Sequence, residues 1–530
     1  MIPQRTGGTR TTSVDPPTSV PERYNASTLL DRNLVAGRGE KIALTCGRDR
    51  LTYGELHRRV CRFGGALRDS GLRREERILL VLNDSPAFPV AFLGSIRAGC
   101  VPVPVNPLLK EDDFRFFLDD TYARAIVLDA EYMEKVLGAA RAREDLKFVV
   151  ANGDHPEGQP LDELIDTGSD ERPPADTHRD DMAFWLYSSG STGKPKGVVH
   201  LQHDIAFTCE TYARYVLGIR DDDVTFSTSK LFHAYGLGNN LSFPYWVGAS
   251  TVLLPVRPTP AAIRETIERF RPTLFFSVPT LYNALLNDPD AARTDLTSIR
   301  RCVSAAEALP AEIWRRFKQT FGQEILDGIG TTEMLHIFLS NTPDAMRPGS
   351  SGRPVPGYDA KIVDDGGLPV AAGDAGHLVV RGDSAAACYW HNHERTKSTI
   401  LGDWIRTGDW YRMDEDGFFW YEGRTDDMMK VGGMWISPIE IENALIEHSA
   451  VAEAAVVGVN VAGLNRSKAF VVLRPGHAQS NALVEELQRW CKDRLERYAY
   501  PHVVEFVADL PKTITGKIQR FKLRGLRDAP

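Results

Sequence analysis

The chain has 530 residues, of which 42% are hydrophobic and 25% charged, and its formal net charge is −8. This length exceeds what one hydrophobic core usually holds, so several domains are expected. The composition is that of an ordinary globular protein and excludes a chain that is disordered throughout. Because the net charge is negative and no basic stripe is interleaved with aromatic residues, nucleic-acid binding is not expected.

Seven cysteines are scattered singly, without a Cys-x-x-Cys pair or a partnering His cluster. Neither a zinc site nor a disulfide framework is predicted, and we expect reduced thiols in a cytoplasmic protein. Residues 1–25 lack an apolar segment, and no apolar run of about 18 residues occurs later. We therefore expect a disordered N-terminus over 1–25, no membrane association, and a monomer or homodimer.

Taken in chain order, the first clear elements are RILLVL, PAFPVAFLGSIRAG and VPVPVN, between residues 77 and 109. They predict a strand, a helix and a second strand, a βαβ unit typical of a helix-covered parallel sheet. Apolar runs near residues 148, 250, 273 and 299 repeat this pattern. Beyond residue 375, alternation and an Asp-Gly turn predict hairpins. The last hundred residues predict a small α+β unit.

The fold class predicted is α/β. A large domain over 26–425 would contain helix-flanked, mainly parallel sheets and a small β-barrel-like subdomain, followed by a small α+β domain over 426–530. The boundary is indicated by EGRTDDMMKVGG, residues 422–433, which is short, charged and ends in two glycines. This stretch is typical of either a hinge or an ordinary interdomain linker.

The stretch YSSGSTGKPKGVVH, residues 187–200, combines glycines, hydroxyl side chains and lysines directly after an apolar run. Small residues let backbone N–H groups approach a ligand, and hydroxyl and ammonium groups suit an anion, so a phosphate-binding loop is predicted. It is not a Walker A loop, because only Ser191 and Thr192 separate Gly190 from Gly193-Lys194. A flexible surface loop is the alternative interpretation.

Four more stretches follow this loop in order: GIGTTE (328–333), TGD (407–409), GRTDD (423–427) and PKTITGK (511–517). From about residue 25 to the end, the chain thereby resembles the adenylate-forming superfamily of acyl-CoA synthetases, peptide-synthetase adenylation domains and luciferases. The resemblance implies an enzyme that uses ATP and Mg²⁺ to convert a carboxylate into an acyl-AMP. It also implies coenzyme A as the second substrate and a mobile C-terminal lid domain.

The resemblance further implies a role for each motif residue. Thr192 is the hydroxyl donor of the phosphate loop, Asp327 contacts the adenine amino group, and Asp409, supported by Arg424, accepts from the ribose hydroxyls. The ATP-binding residues implied are Ser188, Ser189, Gly190, Ser191, Thr192, Gly193, Lys194, Lys196, Ala306, Glu307, Asp327, Gly328, Ile329, Gly330, Thr331, Asp409 and Arg424. Many members carry an aromatic residue at the position of Ile329, so aliphatic packing on the adenine is expected instead.

The catalytic residues implied are Lys517, Thr332, Glu333 and His233. Glu333 would ligate Mg²⁺, with Thr332 near the α-phosphate, and Lys517 would bridge the substrate carboxylate and the AMP. Asp426 would be the hinge about which the small domain turns. The CoA-binding residues implied are Gly432, Gly433, Trp435, Arg466 and Lys468; the last two are also typical of a solvated basic surface.

The stretches LHIFLSN (335–341) and KLFHAYGLGNN (230–240) resemble the benzoate-CoA ligase branch of this superfamily. The aryl-acid pocket implied consists of His233, Ala234, Tyr235, Gly236, Ala305, Gly330, His336 and Ile337. A short, flat slot of this kind favours a planar aromatic acid over a fatty acid. The methyl groups of Ala305 and Ala306, where the superfamily often has glycines, would shorten the slot further.

His233 stands where benzoate ligases tend to have Phe. It is either the general superfamily residue that shields the pocket between half-reactions, or a hydrogen-bond partner for a ring substituent such as the 2-hydroxyl of salicylate. Three functional classes were compared: an aryl-CoA ligase, an aryl-acid adenylation enzyme that transfers to a carrier-protein phosphopantetheine, and a non-catalytic binding protein. The presence of Lys517 and Glu333 disfavours the third class, and the aryl slot disfavours a luciferase-type oxygenase.

Overall fold

The computed structural model describes residues 20–141, 143–188, 195–431, 434–461, 464–496, 498–512 and 518–525, and at a few of these positions, including Trp435, only the backbone. Residues 20–25 belong to the segment predicted to be disordered, yet they are bonded to the rest of the chain. The Tyr24 N–H donates to the Thr177 carbonyl at 3.0 Å, and the Asn25 side chain caps a 3₁₀ turn, Ala26–Leu29. The prediction of disorder therefore does not hold for residues 20–25.

The strands alternate mostly with helices as far as residue 330, and mostly with turns between residues 337 and 436. In chain order they are β1 (Ile42–Cys46), β2 (Asp49–Thr52), β3 (Arg77–Val81), β4 (Val101–Pro104), β5 (Ala125–Asp129), β6 (Phe148–Asn152), β7 (Gln159–Pro160), β8 (Met182–Ser188), β9 (Lys196–Leu201), β10 (Val224–Ser227), β11 (Ser250–Leu253), β12 (Leu274–Ser277), β13 (Arg301–Ser304), β14 (Ile325–Gly330), β15 (Ile337–Ser340), β16 (Arg353–Pro354), β17 (Asp359–Val363), β18 (Ala375–Arg381), β19 (Cys388–Tyr389), β20 (Ile400–Leu401), β21 (Trp404–Met413), β22 (Phe419–Arg424), β23 (Met429–Val431), β24 (Met434–Ile436), β25 (Val451–Val461), β26 (Leu464–Leu473) and β27 (Val503–Phe506).

The α-helices are α1 (Asp31–Val35), α2 (Tyr53–Asp69), α3 (Ala87–Ala98), α4 (Glu111–Thr121), α5 (Met133–Ala140), α6 (Leu161–Thr167), α7 (Asp204–Thr208), α8 (Ala234–Leu237), α9 (Phe243–Val247), α10 (Pro260–Phe270), α11 (Pro279–Asn287), α12 (Ala311–Phe321), α13 (His393–Thr399), α14 (Pro438–Ile446), α15 (Asn481–Lys492) and α16 (Arg520–Gly525). Two π-helical segments, Cys209–Leu217 and Gly238–Ser242, continue α7 and α8, and 3₁₀ turns include Thr332–Met334.

Two sheets are built mainly from parallel strands. The first has the order β4-β3-β5-β6-β7 and is parallel throughout. The second has the order β16-β15-β14-β13-β12-β10-β11-β1-β2, and its strands from β1 to β14 in that path are parallel. The predicted β3–α3–β4 unit is therefore confirmed, since β3 and β4 pair in parallel and α3 connects them. Its strands are apolar and its helix is fully buried, so this sheet needs cover on both faces.

The close packing of α2 on α3 depends on glycine. A Cβ on Gly94 would lie 2.7 Å from Cδ1 of Phe63, and a Cβ on Gly64 would lie 2.8 Å from the Gly94 carbonyl oxygen. The two helices therefore approach at a distance that only glycine permits. The N-terminus of α2 is fixed by a capping box between Thr52 and Glu55.

Antiparallel sheets follow the parallel ones. Strands β19, β9 and β8 form a small sheet beside the predicted phosphate loop. Strands β17, β18, β20, β21 and β22 form a five-stranded antiparallel sheet where the barrel-like subdomain was predicted. The predicted hairpin after residue 404 is the β21–β22 pair. In the C-terminal unit, β25-β26-β27 form a sheet with α14 and α15, as the pattern predicted.

Two expectations from composition can be compared with the structure. All seven cysteines are free, and Cys388 is the only one that is not buried. None of the helices in the described part of the chain combines the length and the apolar character needed to span a bilayer.

Candidate active site

The predicted motif residues meet where the parallel strands of the second sheet end. Ala305, Ala306 and Glu307 directly follow β13, and β14 carries Asp327 to Gly330; Ser304 pairs with Asp327 across the two strands. The carboxyl ends of parallel strands are the usual ligand-binding edge of an α/β sheet. Ala306 has a φ of +79°, a left-handed conformation that favours glycine. This strain explains why glycine is expected there and marks a backbone held by its surroundings.

Asp327 is suited to the adenine contact assigned to it. Its side chain is buried, and burial raises the pKa of its carboxyl group to about 8. Oδ2 accepts from the Leu309 N–H at 3.4 Å, whereas Oδ1 has no hydrogen-bond partner among the described residues. A buried acceptor without a partner is costly, so a donor such as an exocyclic amino group would satisfy it.

The Thr332–Met334 turn is held from several sides. The Thr331 Oγ1 accepts from the Met334 N–H at 3.3 Å, and Nε2 of the fully buried His200 lies 2.8 Å from the Thr332 carbonyl oxygen. Nδ1 of His200 lies 2.7 Å from a carboxylate oxygen of Asp204, which is also fully buried. Glu333 accepts at Oε1 from the Tyr389 hydroxyl at 2.7 Å.

Positive side chains surround the Glu333 carboxylate. Lys196, at the start of β9, has its pKa lowered by burial and by the positive charge of Arg395, while the charge of Glu333 acts in the opposite direction. The Arg424 guanidinium donates to Asp409 at 2.9 Å, and the charge of Asp409 raises the pKa of Arg424. A site with this balance can hold several phosphate groups.

The chemistry of the donors also fits Mg²⁺. No cluster of three or more His, Cys, Asp or Glu side chains exists in the described part of the chain. Mg²⁺ that accompanies a nucleotide is usually bound by one or two carboxylates and the substrate phosphates, so such a cluster is not needed. Glu333 supplies a carboxylate and Thr332 a hydroxyl at one turn.

Two of the predicted aryl-acid residues, Tyr235 and His336, are neighbours in the structure. The ring centroids of Tyr235 and His336 lie 5.5 Å apart. The Tyr235 hydroxyl donates to the carbonyl of Val303, the second-last residue of β13, at 3.2 Å. His336 is buried, and burial lowers its pKa to about 3, so the ring is neutral. Its Nε2 lies 3.2 Å from Asn239 Oδ1.

Two of the predicted pocket glycines are packed tightly against neighbouring backbone. A Cβ on Gly236 would lie 2.2 Å from the Lys230 carbonyl oxygen, and one on Gly330 would lie 2.4 Å from the His336 carbonyl oxygen. Gly330 also pairs with Ile337 across β14 and β15. The backbones of both predicted pocket segments therefore approach their neighbours as closely as side-chain-free residues allow. Ala305 is buried at the end of β13, whereas Ala234 is partly exposed in α8.

His233 immediately precedes α8. Its carbonyl oxygen accepts from the Leu237 N–H at 2.8 Å, and its ring lies 4.5 Å from that of Phe232. The residue belongs to the segment that carries Ala234 and Tyr235, so the structure keeps it beside the predicted pocket.

Several predicted residues lie outside the described residues. They are Ser189, Gly190, Ser191, Thr192, Gly193 and Lys194 of the phosphate loop, Gly432 and Gly433 of the predicted CoA segment, and Lys517. The loop's flanks are described: Ser188 ends β8 and pairs with Lys196 at the start of β9. The backbone N–H of Ile518, the residue after Lys517, donates to the Glu307 carboxylate at 3.2 Å.

The remaining predicted residues lie in the C-terminal part of the chain. Lys468 forms an ion pair with Glu505 at 2.6 Å, and Nη1 of Arg466 lies 3.4 Å from Nε2 of His502. The backbone carbonyl of Asp426 accepts from Arg524 at 3.2 Å.

Sequence reasoning missed His200, Tyr389 and Arg395. His200 and Tyr389 hold the Thr332–Glu333 turn, and Arg395 contributes positive charge near Lys196. His200 stood within the quoted loop stretch, but nothing in that stretch showed that it would face a turn that lies 132 residues later. Tyr389 and Arg395 stood in no recognised motif.

Comparison with known proteins agrees with this geometry. The AMP-binding enzyme family matches residues 31–390, and the AMP-binding enzyme C-terminal domain matches residues 440–517. The chain is 49% identical over 516 residues to the benzoate–CoA ligase of Thauera aromatica, covering 96% of this chain and 97% of that protein. The chain belongs to the AMP-binding enzyme family.

Solved structures show the same likeness. The benzoate CoA ligase from Burkholderia xenovorans LB400 has 47% identity and a TM-score of 0.89, with 94% of this chain and 100% of that chain covered. The anthranilate CoA ligase AuaEII, in complex with anthranoyl-AMP, has 41% identity and a TM-score of 0.92, with 96% and 98% covered. The adenylate-forming fold is thereby confirmed, and the protein is an AMP-forming acid–CoA ligase that uses ATP, Mg²⁺ and CoA.

The buried carboxyl of Asp327 gives a first prediction. In the folded protein it keeps its proton up to a pH of about 8, whereas in the unfolded chain it ionises near the ordinary pKa of 3.8. The folded state thus binds more protons between these values, and stability falls as pH rises through this window. Asp327→Asn should remove this pH-dependent loss of stability. The melting temperature of the variant minus that of wild type should therefore increase from pH 5 to pH 8 and then level off.

The same variant keeps an acceptor oxygen, so its KM for ATP should stay within a few-fold of wild type. Asp327→Ala, which lacks the acceptor, should raise the KM for ATP about 10-fold. A melting-temperature difference between Asp327→Asn and wild type that does not change with pH would contradict the assignment of a buried, protonated Asp327.

Proposed function

We propose that the enzyme activates a small aromatic carboxylic acid, benzoate or a benzoate with one small ring substituent. Its products are aryl-AMP and pyrophosphate, and then aryl-CoA and AMP. Three named relatives support this substrate class: the benzoate–CoA ligases of T. aromatica and B. xenovorans, and the anthranilate–CoA ligase. Transfer to a carrier protein has no support from the comparisons.

The observation that carries the proposal is the ring contact between Tyr235 and the neutral His336, next to the tightly packed Gly236 and Gly330. Aromatic side chains and closely packed backbone at this end favour a small aromatic ring over a long acyl chain. A neutral His336 adds no charge to this end of the site. The apolar end would therefore accept the ring, and the cationic end would accept the phosphates.

Adenylation requires a carboxylate oxygen to attack the α-phosphorus of ATP while the bond to the pyrophosphate oxygen breaks. Both reactants are anionic, so positive charge must be present before the reaction starts. We assign the pyrophosphate to Lys196 and the loop that begins at Ser188, and the Mg²⁺ to Glu333, with Thr332 near the α-phosphate. Bound Mg²⁺ would neutralise charge on the phosphate oxygens.

The nucleoside would be held by Asp409, Arg424 and the buried carboxyl group of Asp327. Asp409 can accept two hydrogen bonds from ribose hydroxyls, and its ion pair with Arg424 keeps it charged and oriented. The open Oδ1 of Asp327 would accept from the adenine amino group.

We propose that Lys517 serves adenylation and that the C-terminal domain, residues 426–530, later turns about Asp426. The hydrogen bond from Ile518 to Glu307 supports the first pose, since it ties the residue after Lys517 to the strand end that carries Ala306. In the second pose the segment of Gly432, Gly433 and Trp435 would line the path of the CoA thiol. The sulfur would then attack the acyl carbon, and AMP would leave.

Pyrophosphate release from ATP and Mg²⁺ tests the proposed function. The acids are benzoate, salicylate, 2-aminobenzoate, 4-hydroxybenzoate, cinnamate and octanoate, each measured with and without CoA. We expect turnover on a small aryl acid, dependence on CoA, and equal amounts of AMP and thioester. Turnover on octanoate above every aryl acid would contradict the aryl-slot assignment.

Replacing Lys517 separates the two half-reactions. Lys517→Ala should lower the rate of aryl-AMP formation about 10²- to 10³-fold, because a charge that stabilises the transition state is lost. Thioester formation from supplied aryl-AMP and CoA should stay within a few-fold of wild type. Lys522→Ala, an exposed lysine on α16, is the matched control and should leave both rates unchanged. Equal losses in both half-reactions would contradict domain rotation.

The nature of the ring substituent depends on His233. We propose that its imidazole hydrogen-bonds a 2-substituent, which would shift the preference from benzoate towards salicylate. The position of His233 next to Ala234 and Tyr235, and the anthranilate ring bound by AuaEII, support a contact with the ortho position. The alternative is that His233 only shields the pocket between half-reactions.

His233→Phe distinguishes these roles. If the imidazole binds the substituent, the ratio of kcat/KM for salicylate over benzoate should fall about 5- to 160-fold, the equivalent of a lost hydrogen bond of about 1 to 3 kcal/mol. The ratio is taken within one variant, so differences in folding cancel. An unchanged ratio would assign His233 to shielding alone.

A further inference from the structure

The turn that carries Glu333 rests on the small sheet of β8, β9 and β19. The Glu333 backbone carbonyl accepts from the Ala386 N–H at 2.7 Å, and the next carbonyl, that of Met334, accepts from Ser384 Oγ at 2.8 Å. Tyr389 belongs to β19 and pairs with Val198 of β9. The same sheet therefore carries both flanks of the phosphate loop and the residues that hold the Glu333 turn.

Tyr389 fixes one oxygen of the Glu333 side chain. Its hydroxyl donates to Oε1 at 2.7 Å, the short distance typical of a hydrogen bond to a charged acceptor. The Tyr389 hydroxyl is a donor at neutral pH, because a tyrosine hydroxyl ordinarily ionises only near pH 10. Tyr389 contacts only Oε1, so the second oxygen, Oε2, can contact a cation.

Tyr389 is itself held in place. Its side chain is 5% exposed, and its backbone N–H donates to Thr396 Oγ1 at 3.0 Å, whose own proton goes to the Asn392 carbonyl at 2.9 Å. The hydroxyl therefore has a fixed position. A carboxylate that accepts from a fixed donor loses the freedom to rotate about its side-chain bonds, which pre-organises it for a ligand.

The ring of Tyr389 also lies between two opposite charges. The Lys196 ammonium faces the ring at 5.6 Å from its centroid, while the hydroxyl at the ring's edge contacts Glu333. Lys196 and Glu333 form no ion pair among the described residues, although the negative charge of Glu333 acts to raise the pKa of Lys196. Both charges thereby remain available to ligands instead of neutralising each other.

We propose that Tyr389 is a positioning residue that fixes Glu333 for Mg²⁺ and keeps Lys196 apart for the phosphates. The proposal rests on the proposed function, because it takes Glu333 as the carboxylate that binds the metal. Tyr389 touches neither substrate nor metal in this account. Its effect should therefore appear in metal binding and leave aryl-acid binding unchanged.

The test is Tyr389→Phe, which removes one hydroxyl group. Mn²⁺, whose electron paramagnetic resonance signal reports binding, is titrated with an ATP analogue in which CH₂ replaces the oxygen between the α- and β-phosphorus atoms. We expect Mn²⁺ to bind about 10- to 100-fold more weakly than in wild type, the usual effect of losing a group that orients a metal ligand. The Mg²⁺ concentration for half-maximal pyrophosphate release should rise by the same factor.

Three further results are expected of this variant. Saturating Mg²⁺ should restore kcat to within a few-fold of wild type, and the KM for the aryl acid should not change. Tyr53→Phe is the matched control. Tyr53 is the first residue of α2, it is fully buried, and its hydroxyl donates to the Ala249 carbonyl at 2.5 Å. The control should lower the melting temperature without altering the metal titration.

An unchanged Mn²⁺ dissociation constant in Tyr389→Phe would overturn the proposal, as would a loss of activity that no Mg²⁺ concentration restores. If the variant does not fold, a crystal structure of the wild-type enzyme with Mg²⁺ and the analogue decides. The proposal requires the Tyr389 hydroxyl to stay within about 3 Å of Glu333 while the metal is bound. A metal held by Glu333 with Tyr389 turned away would overturn it.

The metal titration contains no aryl acid, so its outcome does not depend on the substrate. A wild-type enzyme that is inactive on every aryl acid but shows the expected Mn²⁺ effect would contradict the proposed substrate alone. Full activity on aryl acids, with no Mn²⁺ effect in Tyr389→Phe, would contradict the role of Tyr389 alone.

Discussion

The joining of the Thr332–Glu333 turn to three separate parts of the chain is the constraint on which the site depends. The turn follows β14 of the large parallel sheet, His200 of β9 holds the Thr332 carbonyl, and Tyr389 of β19 holds the Glu333 carboxylate. A short turn would otherwise have several conformations, each of which would carry the carboxylate to a different place. Because all of these contacts must form together, the position of the Glu333 carboxylate, the proposed metal ligand, is set by tertiary packing rather than by the local sequence.

The site is divided by charge. At one end, Lys196, Arg395 and Arg424 concentrate positive charge around Glu333, where anionic groups must approach each other. At the other end, burial keeps His336 neutral beside Tyr235, so His336 adds no charge to the pocket proposed for the acid's ring. The carboxylate of a bound acid would lie where these two environments meet. There it would be attracted towards the positive side chains that bind the phosphates, while its ring stays in apolar surroundings.

Much of this arrangement could be predicted from the sequence. Period and composition predicted the β3–α3–β4 unit, the β21–β22 hairpin and the C-terminal unit, because each is built from residues close together in the chain. The motif residues Asp327, Glu333 and Asp409 could be named because a resemblance assigned their roles. Tyr389 could not, because its contact with Glu333 depends on β19 pairing with β9, two strands about 190 residues apart in the chain. The raised pKa of Asp327 and the left-handed φ of Ala306 likewise depend on burial and packing, which local sequence does not report.

We propose that the site directs a carboxylate oxygen to the α-phosphorus of ATP. The most direct test uses benzoate, or the best acid of the panel, with both carboxylate oxygens replaced by ¹⁸O, in a single turnover with ATP, Mg²⁺ and CoA. We expect AMP that carries one ¹⁸O atom, because the attacking oxygen stays on phosphorus when the thiol displaces AMP, and we expect unlabelled pyrophosphate. Label in pyrophosphate or inorganic phosphate, with unlabelled AMP, would show attack at another phosphorus and would rule out this reaction.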